Sequence, residues 1–176
     1  LDMEDGVVDV QYTRHGTRFS RMYLASVEYG MLAVRLTAEK PASVSVRVHL
    51  DRIDDDECTC TAWNDSTRIG LSELFIEGVA FAVEAWIYAE GGQMRPGSGA
   101  TMDIEDADAV TIYMRTDAGL AGHIKADLWE EPLPPFDMVV QAHRKEHRSL
   151  FHRVSLNLSE EEEEDDRPTD ARLRAL

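Results

Sequence analysis

The sequence predicts a mainly β domain: an antiparallel β-sandwich followed by one C-terminal amphipathic helix and a short strand. Three observations carry that prediction. From Val7 to Thr116 apolar and polar residues alternate in runs of strand length, so each run shows one apolar face. Turn formers such as His15-Gly16, Tyr29-Gly30 and Gly91-Gly92 separate the runs. Past Pro135 the apolar period lengthens from two residues to three and four, the signature of a helix.

In chain order, "VVDVQYTR" sets Val8, Val10 and Tyr12 on one face. "TRFSRMYLA" opposes Phe19, Arg21 and Tyr23 to Ser20, Met22 and Leu24, and "MLAVRLT" follows the next turn. "SVSVRVHL" is the cleanest half-buried strand, with Val44, Val46, Val48 and Leu50 against Ser43, Ser45, Arg47 and His49. "DRIDDDE" reads as a solvated loop; its acids lack the glycine and distal glutamate of a calcium-binding loop. "CTCTAWN", "ELFIEG" and "VAFAVEAWIYAE" are the next strands, and in the last Phe81, Val83, Ala85, Ile87 and Ala89 oppose Glu84, Trp86 and Tyr88. "QMRPGSG" reads as a loop, and "TMDIE" and "AVTIYMRT" bring the strands to nine by Thr116. This spacing suits a sandwich.

"WEEPLPPF" is too rich in proline for regular structure. Phe136, Val139, Val140, His143, His147, Leu150 and Phe151 then recur at helical steps, a rod ~24 Å long. "RVSLNLS" alternates again and reads as a last strand with Val154, Leu156 and Leu158 on one face. The expected organisation is a sandwich over residues 1–130, a linker helix and final strand of the same domain over 131–158, and an acidic, flexible tail over 159–176.

Composition narrows the function. At 176 residues the chain suits one domain with a sizeable core, and it contains no run of 18 apolar residues, so no membrane partner is expected. The net charge of −16 repels a phosphate backbone, which excludes nucleic acid as a partner class. Bases comprise 15 arginines and three lysines (Lys40, Lys125, Lys145), a balance that suits either a salt-loving source or a GC-rich genome. The chain starts on Leu1 with no basic or apolar leader, and is expected to be a processed or truncated product.

The most pointed motif is His143-Arg144-Lys145-Glu146-His147, the H-x-x-E-H spelling of zinc proteases. Both histidines share a helix face, as zinc would need, but that face is the apolar stripe, where histidine is commonly a packed, hydrogen-bonded core residue. No second long helix supplies a further carboxylate, so zinc hydrolysis stands as a remote alternative. Cys58 and Cys60 lie two apart on a strand, a strained spacing for a disulfide, and read as small buried hydrophobes. Trp63, Trp86 and Trp129 could stack on sugars but read first as core or interface. His15, His49, His123 and His152 are scattered singly, and no G-x-S-x-G, P-loop or dinucleotide fingerprint occurs. No catalytic, cofactor-binding or metal-binding residue is assigned, and no cofactor is expected.

The order of elements carries a resemblance. "VVQAHRKEHRSLFHRVSLNLS", followed after the acidic run by "RPTDARL", resembles the end of the N-terminal domain of glycoside hydrolase family 95, which contains α-L-fucosidases and some α-L-galactosidases. That family's helix carries a histidine, a D-Y pair and L-F-x-R-V-x-L-x-L, then P-T-D-x-R-L. His143, Leu150, Phe151, Arg153, Val154, Leu156 and Leu158 fit, as do Pro168, Thr169, Asp170, Arg172 and Leu173. Glu146 and His147 replace the D-Y pair. "GVVDVQYTRHGTRFSRMYLASVEYGMLAVRL" and "DADAVTIYMRTD" are similar to earlier family strands, so the likeness spans most of residues 1–175 and is weakest over 51–75.

The resemblance implies a supersandwich-like domain, preceded in the family by further strands and followed by an (α/α)6 catalytic barrel, its expected partner. The family's catalytic acid and the asparagine holding its water belong to that barrel, so none is carried onto this chain. Hydrolysis of terminal α-L-fucosides with inversion is the implied reaction of a parent enzyme, and this chain alone is expected to be inactive. A stand-alone carbohydrate-binding sandwich using exposed tryptophans is the alternative, with carbohydrate as its partner.

Overall fold

The computed structural model describes residues 1–124, 128–129, 132–156, 168, 170–171 and 174. The strands are β1 (Val8–Arg14), β2 (Thr17–Ser26), β3 (Met31–Ala38), β4 (Val44–His49), β5 (Cys58–Asn64), β6 (Arg68–Phe75), β7 (Val79–Glu90), β8 (Gln93–Pro96), β9 (Thr101–Ala107) and β10 (Ala109–Leu120), followed by helix α1 (Phe136–Phe151). They form a seven-stranded sheet in the order β1-β2-β3-β10-β7-β6-β5 and a three-stranded sheet in the order β4-β9-β8. Every pairing is antiparallel.

Strand alternation gives the large sheet two apolar faces, and each is covered differently. One face turns Ile69, Ala85, Ile87 and Val110 toward Val44, Met102 and Ile104 of the small sheet, making the sandwich core. Burying an isoleucine of this kind stabilises by about 1.5–3 kcal/mol. The opposite face turns Leu24, Met31, Ala33, Ala82 and Tyr113 toward Phe136, Val139 and Val140 of α1 and toward Leu128 and Trp129. α1 lies against β2 and β3. The molecule is therefore layered as small sheet, large sheet, then helix with the strap that leads into it, described at residues 128–129 and 132–135.

Three elements differ from the sequence reading. β8 forms where a loop was expected, pairing Gln93 with Glu105 and Pro96 with Met102; its proline sits at the last position of an edge strand, where the missing N–H is tolerated. β6 starts at Arg68, ahead of "ELFIEG", because Gly70 and an inward Glu73 break the apolar alternation there. The last strand is not formed at Val154–Leu156, where Val154 and Leu156 are exposed and meet no strand edge; residues 157–159 lie outside the described residues. The expectation of a flexible acidic tail also falls mainly outside them; of its described residues, Arg174 pairs with Asp170 at 3.5 Å.

Candidate functional site

The H-x-x-E-H motif sits on α1 with its two imidazoles adjacent, ring centres 5.6 Å apart. Both rings face the N-terminal turn. His143 Nε2 lies 3.0 Å from the carbonyl oxygen of Gly6, and His147 Nε2 lies 2.9 Å from that of Met3. A carbonyl only accepts, so both rings carry their proton on Nε2. Arg148 Nε donates to the buried Asp5 carboxylate at 2.5 Å, and Arg144 Nε lies 2.9 Å from its other oxygen.

The turn itself is shaped for this grip. Asp2 Oδ1 accepts the N–H groups of Glu4 and Asp5, and Asp2 and Val7 form a backbone bridge. Gly6 has φ of 64°, and a Cβ there would come within 2.6 Å of His147 Nδ1. The motif thus clasps residues 2–7 onto the helix and seats Val7 in the core. The zinc alternative finds no cluster of three or more His, Cys, Asp or Glu side chains placed to hold an ion among the described residues.

A second constellation lies on the helix-side face of the large sheet, built as cross-strand rows. Arg35, Thr111 and Tyr88 stand opposite one another on β3, β10 and β7. The next row is Ala33, Tyr113, Trp86 and Arg68, and the one after brings Arg115, Glu84, Gly70 and Trp63 into line. Trp63 lies over Gly70, where a Cβ would meet the indole at 2.2 Å. The Arg68 guanidinium stacks over both Trp63 and Trp86, at 5.7 and 5.2 Å from the ring centres.

The strap before α1 is tied to these rows. Tyr113 donates its hydroxyl to the Pro134 carbonyl at 2.8 Å, and Arg115 donates to those of Leu128 and Tyr29. Trp129 packs edge-on against Trp86 and lies under Arg115. Burial is the largest influence on the Tyr113 phenol and pushes its pKa up to about 12, with Arg35 opposing and Tyr88 and Asp137 adding to the rise. The three tryptophans therefore serve packing, as the sequence reading favoured: Trp129 is buried, and Trp63 and Trp86 are half-buried against arginines.

The cysteines need correction. Cys58 is half-buried and Cys60 is exposed, because β5 is the edge strand of the large sheet. Desolvation, followed by the nearby Glu73 carboxylate, raises both thiol pKa values.

A model of the glycosyl hydrolase family 65 N-terminal domain matches residues 1–121. The chain belongs to that family. No protein of curated function matches the chain. Among solved structures, the chain is similar to a putative kojibiose phosphorylase from human microbiome, with a TM-score of 0.55 and 10% identity. That likeness covers 86% of this chain but 24% of the other, so the chain spans about a quarter of its structural relative. The coarser part of the sequence resemblance, a glycoside hydrolase N-terminal β-sandwich, is what these matches support; they do not select family 95.

In this family member, two features escaped the sequence. Glu73 has its side chain 1% exposed and pairs with Arg52 at 2.5 Å, while Arg52 also lies over Phe75 and Phe81 at 4.9 and 5.2 Å. The loop is solvated along most of its length, as its composition suggests, and is pinned to the sheet edge at Arg52. A glutamate at an inward position of a strand was the available signal. The N-terminal clasp joins residues some 140 apart, and no spacing rule links them.

Proposed function

We propose that this chain is the non-catalytic β-sandwich of an α-L-fucosidase-like glycoside hydrolase, acting by supporting an (α/α)6 catalytic barrel. The observation that carries the coarser part of this reading, a glycoside hydrolase N-terminal domain, is the family match over residues 1–121. The chain's span of 24% of a phosphorylase-like relative supports a larger parent. The motif at Leu150, Phe151, Arg153 and Val154, followed by Pro168, Thr169 and Asp170, supports the fucosidase-like choice within that class.

The end of α1 has the character of a docking edge. Leu150 and Phe151 are about half exposed, and Val154 and Leu156 are more than three-quarters exposed. A barrel packed there would cover an apolar strip that the sandwich leaves in water. The parent's chemistry is inversion at a terminal α-L-fucoside by a general acid and an activated water, both supplied by the barrel.

The test is the reading frame around this chain. An enzyme that continues past Leu176 into a barrel releases 4-nitrophenol from its α-L-fucoside, and the 176-residue chain alone releases none. Release by the chain alone overturns the supporting role. A parent that cleaves other glycosides but leaves the fucoside intact overturns the fucoside assignment.

A further inference from the structure

The row Arg35, Thr111, Tyr88 forms one wall of a pocket of about 440 Å³, closed on the other side by the strap and the first turn of α1. Tyr88 is 46% exposed there, although its strand neighbours are buried or half-buried. Its ring is near-parallel to Trp86, at 8°, with centres 6.3 Å apart. An exposed aromatic ring backed by a second ring is a rigid platform that loses little entropy when covered.

The polar groups beside it are fixed but not exhausted. Arg35 donates to Thr111 Oγ1 and to Glu90 Oε1, each at 2.7 Å, and lies over the Phe136 ring. Those bonds use two of the five guanidinium N–H donors. Glu90 retains a second oxygen, and Asp137 presents an exposed carboxylate on the first turn of α1.

We propose that this pocket binds a neutral pyranose unit, with one face of the sugar ring on Tyr88 and its hydroxyls meeting Arg35, Glu90 and Asp137. The volume falls within the range of small-ligand sites, and an apolar floor with few convergent polar groups is their usual make-up. The C–H face of a pyranose is apolar and its rim carries paired hydroxyls, which match an aromatic floor and a forked donor beside acceptors. Two carboxylates against one guanidinium disfavour phosphate and uronate ligands. The inference does not rest on the fucoside assignment.

The test is a chemical-shift titration of the ¹⁵N-labelled 176-residue chain with the methyl glycosides of L-fucose, D-galactose and D-glucose. At least one glycoside gives saturable shifts centred on Tyr88, Thr111 and Asp137. Tyr88→Ala weakens that binding at least about tenfold, Glu90→Gln also weakens it, and Tyr88→Phe retains it, with thermal melting to confirm folding. If Tyr88→Ala does not fold, Glu90→Gln decides. No saturable shift at this pocket with any of the three overturns the proposal, as does undiminished binding by folded Tyr88→Ala or Glu90→Gln. A parent enzyme that cleaves fucosides beside a chain that binds none would sink this inference alone.

Discussion

The imidazole of His143 donates from Nε2 to the carbonyl of Gly6, 137 residues earlier in the chain, across 3.0 Å. That bond, with its neighbour from His147 to Met3, turns a metal-like spelling into a clasp. His143 is buried, so His143→Ala is expected to cost about 1–3 kcal/mol, the penalty for leaving a buried partner unsatisfied. Urea unfolding measures it. Because the Nε2 atoms are engaged by backbone, EDTA should leave the melting temperature unchanged; a fall on chelation would reinstate a metal site.

How much of this was legible can be argued residue by residue. Val44, Val46 and Val48 alternate with Ser45, Arg47 and His49, and the pleat alone tells which side is core. Val139 and Val140 mark the buried side of α1 in the same local way. Gly70 conceals the start of β6, because a missing side chain carries no polarity signal, and its reason for being glycine is Trp63 on the next strand. The clasp and the Arg52–Glu73 pair depend on tertiary approach, which no local period encodes.

Gly70 yields a direct experiment. An alanine there puts a methyl group 2.2–2.4 Å from three indole atoms of Trp63, so the ring must move off its seat and away from Arg68. Overpacking of this kind costs about 1–3 kcal/mol. A shifted tryptophan emission together with a lower urea midpoint is expected; native emission at native stability would show that the indole has room.

Removing Arg52 takes away the cation facing the Glu73 carboxylate, whose side chain is 1% exposed, and leaves the Cys58 thiol as a weak donor 3.3 Å away. Breaking one partner of a buried pair costs about 3–5 kcal/mol, an upper bound here because the Arg52 side chain is 32% exposed, whereas replacing both with apolar residues is close to neutral. Arg52→Met should therefore be severely destabilised and the double variant with Glu73→Leu largely restored. A double variant as unstable as the single one would place the cost in the lost Phe75 and Phe81 contacts instead.

Tyr113 sets the behaviour at high pH. Its phenol is held at about 12 in the folded chain against an ordinary value of 10.0, first because it is buried. The folded state thus favours the neutral form, and the sign follows: below 10.0 both states are protonated and the group adds no pH dependence. Between 10.0 and about 12 the unfolded phenol ionises while the folded one does not, so stability falls as pH rises. Tyr113→Phe loses the hydrogen bond to the Pro134 carbonyl, about 0.5–1.5 kcal/mol near neutrality, but cannot ionise in either state. The gap between the native chain and Tyr113→Phe in urea unfolding should therefore narrow from about pH 8 to about pH 11. A gap that stays constant over that window would mean that the phenol ionises as readily in the folded chain as in the unfolded one, and that the strap leaves it open to water.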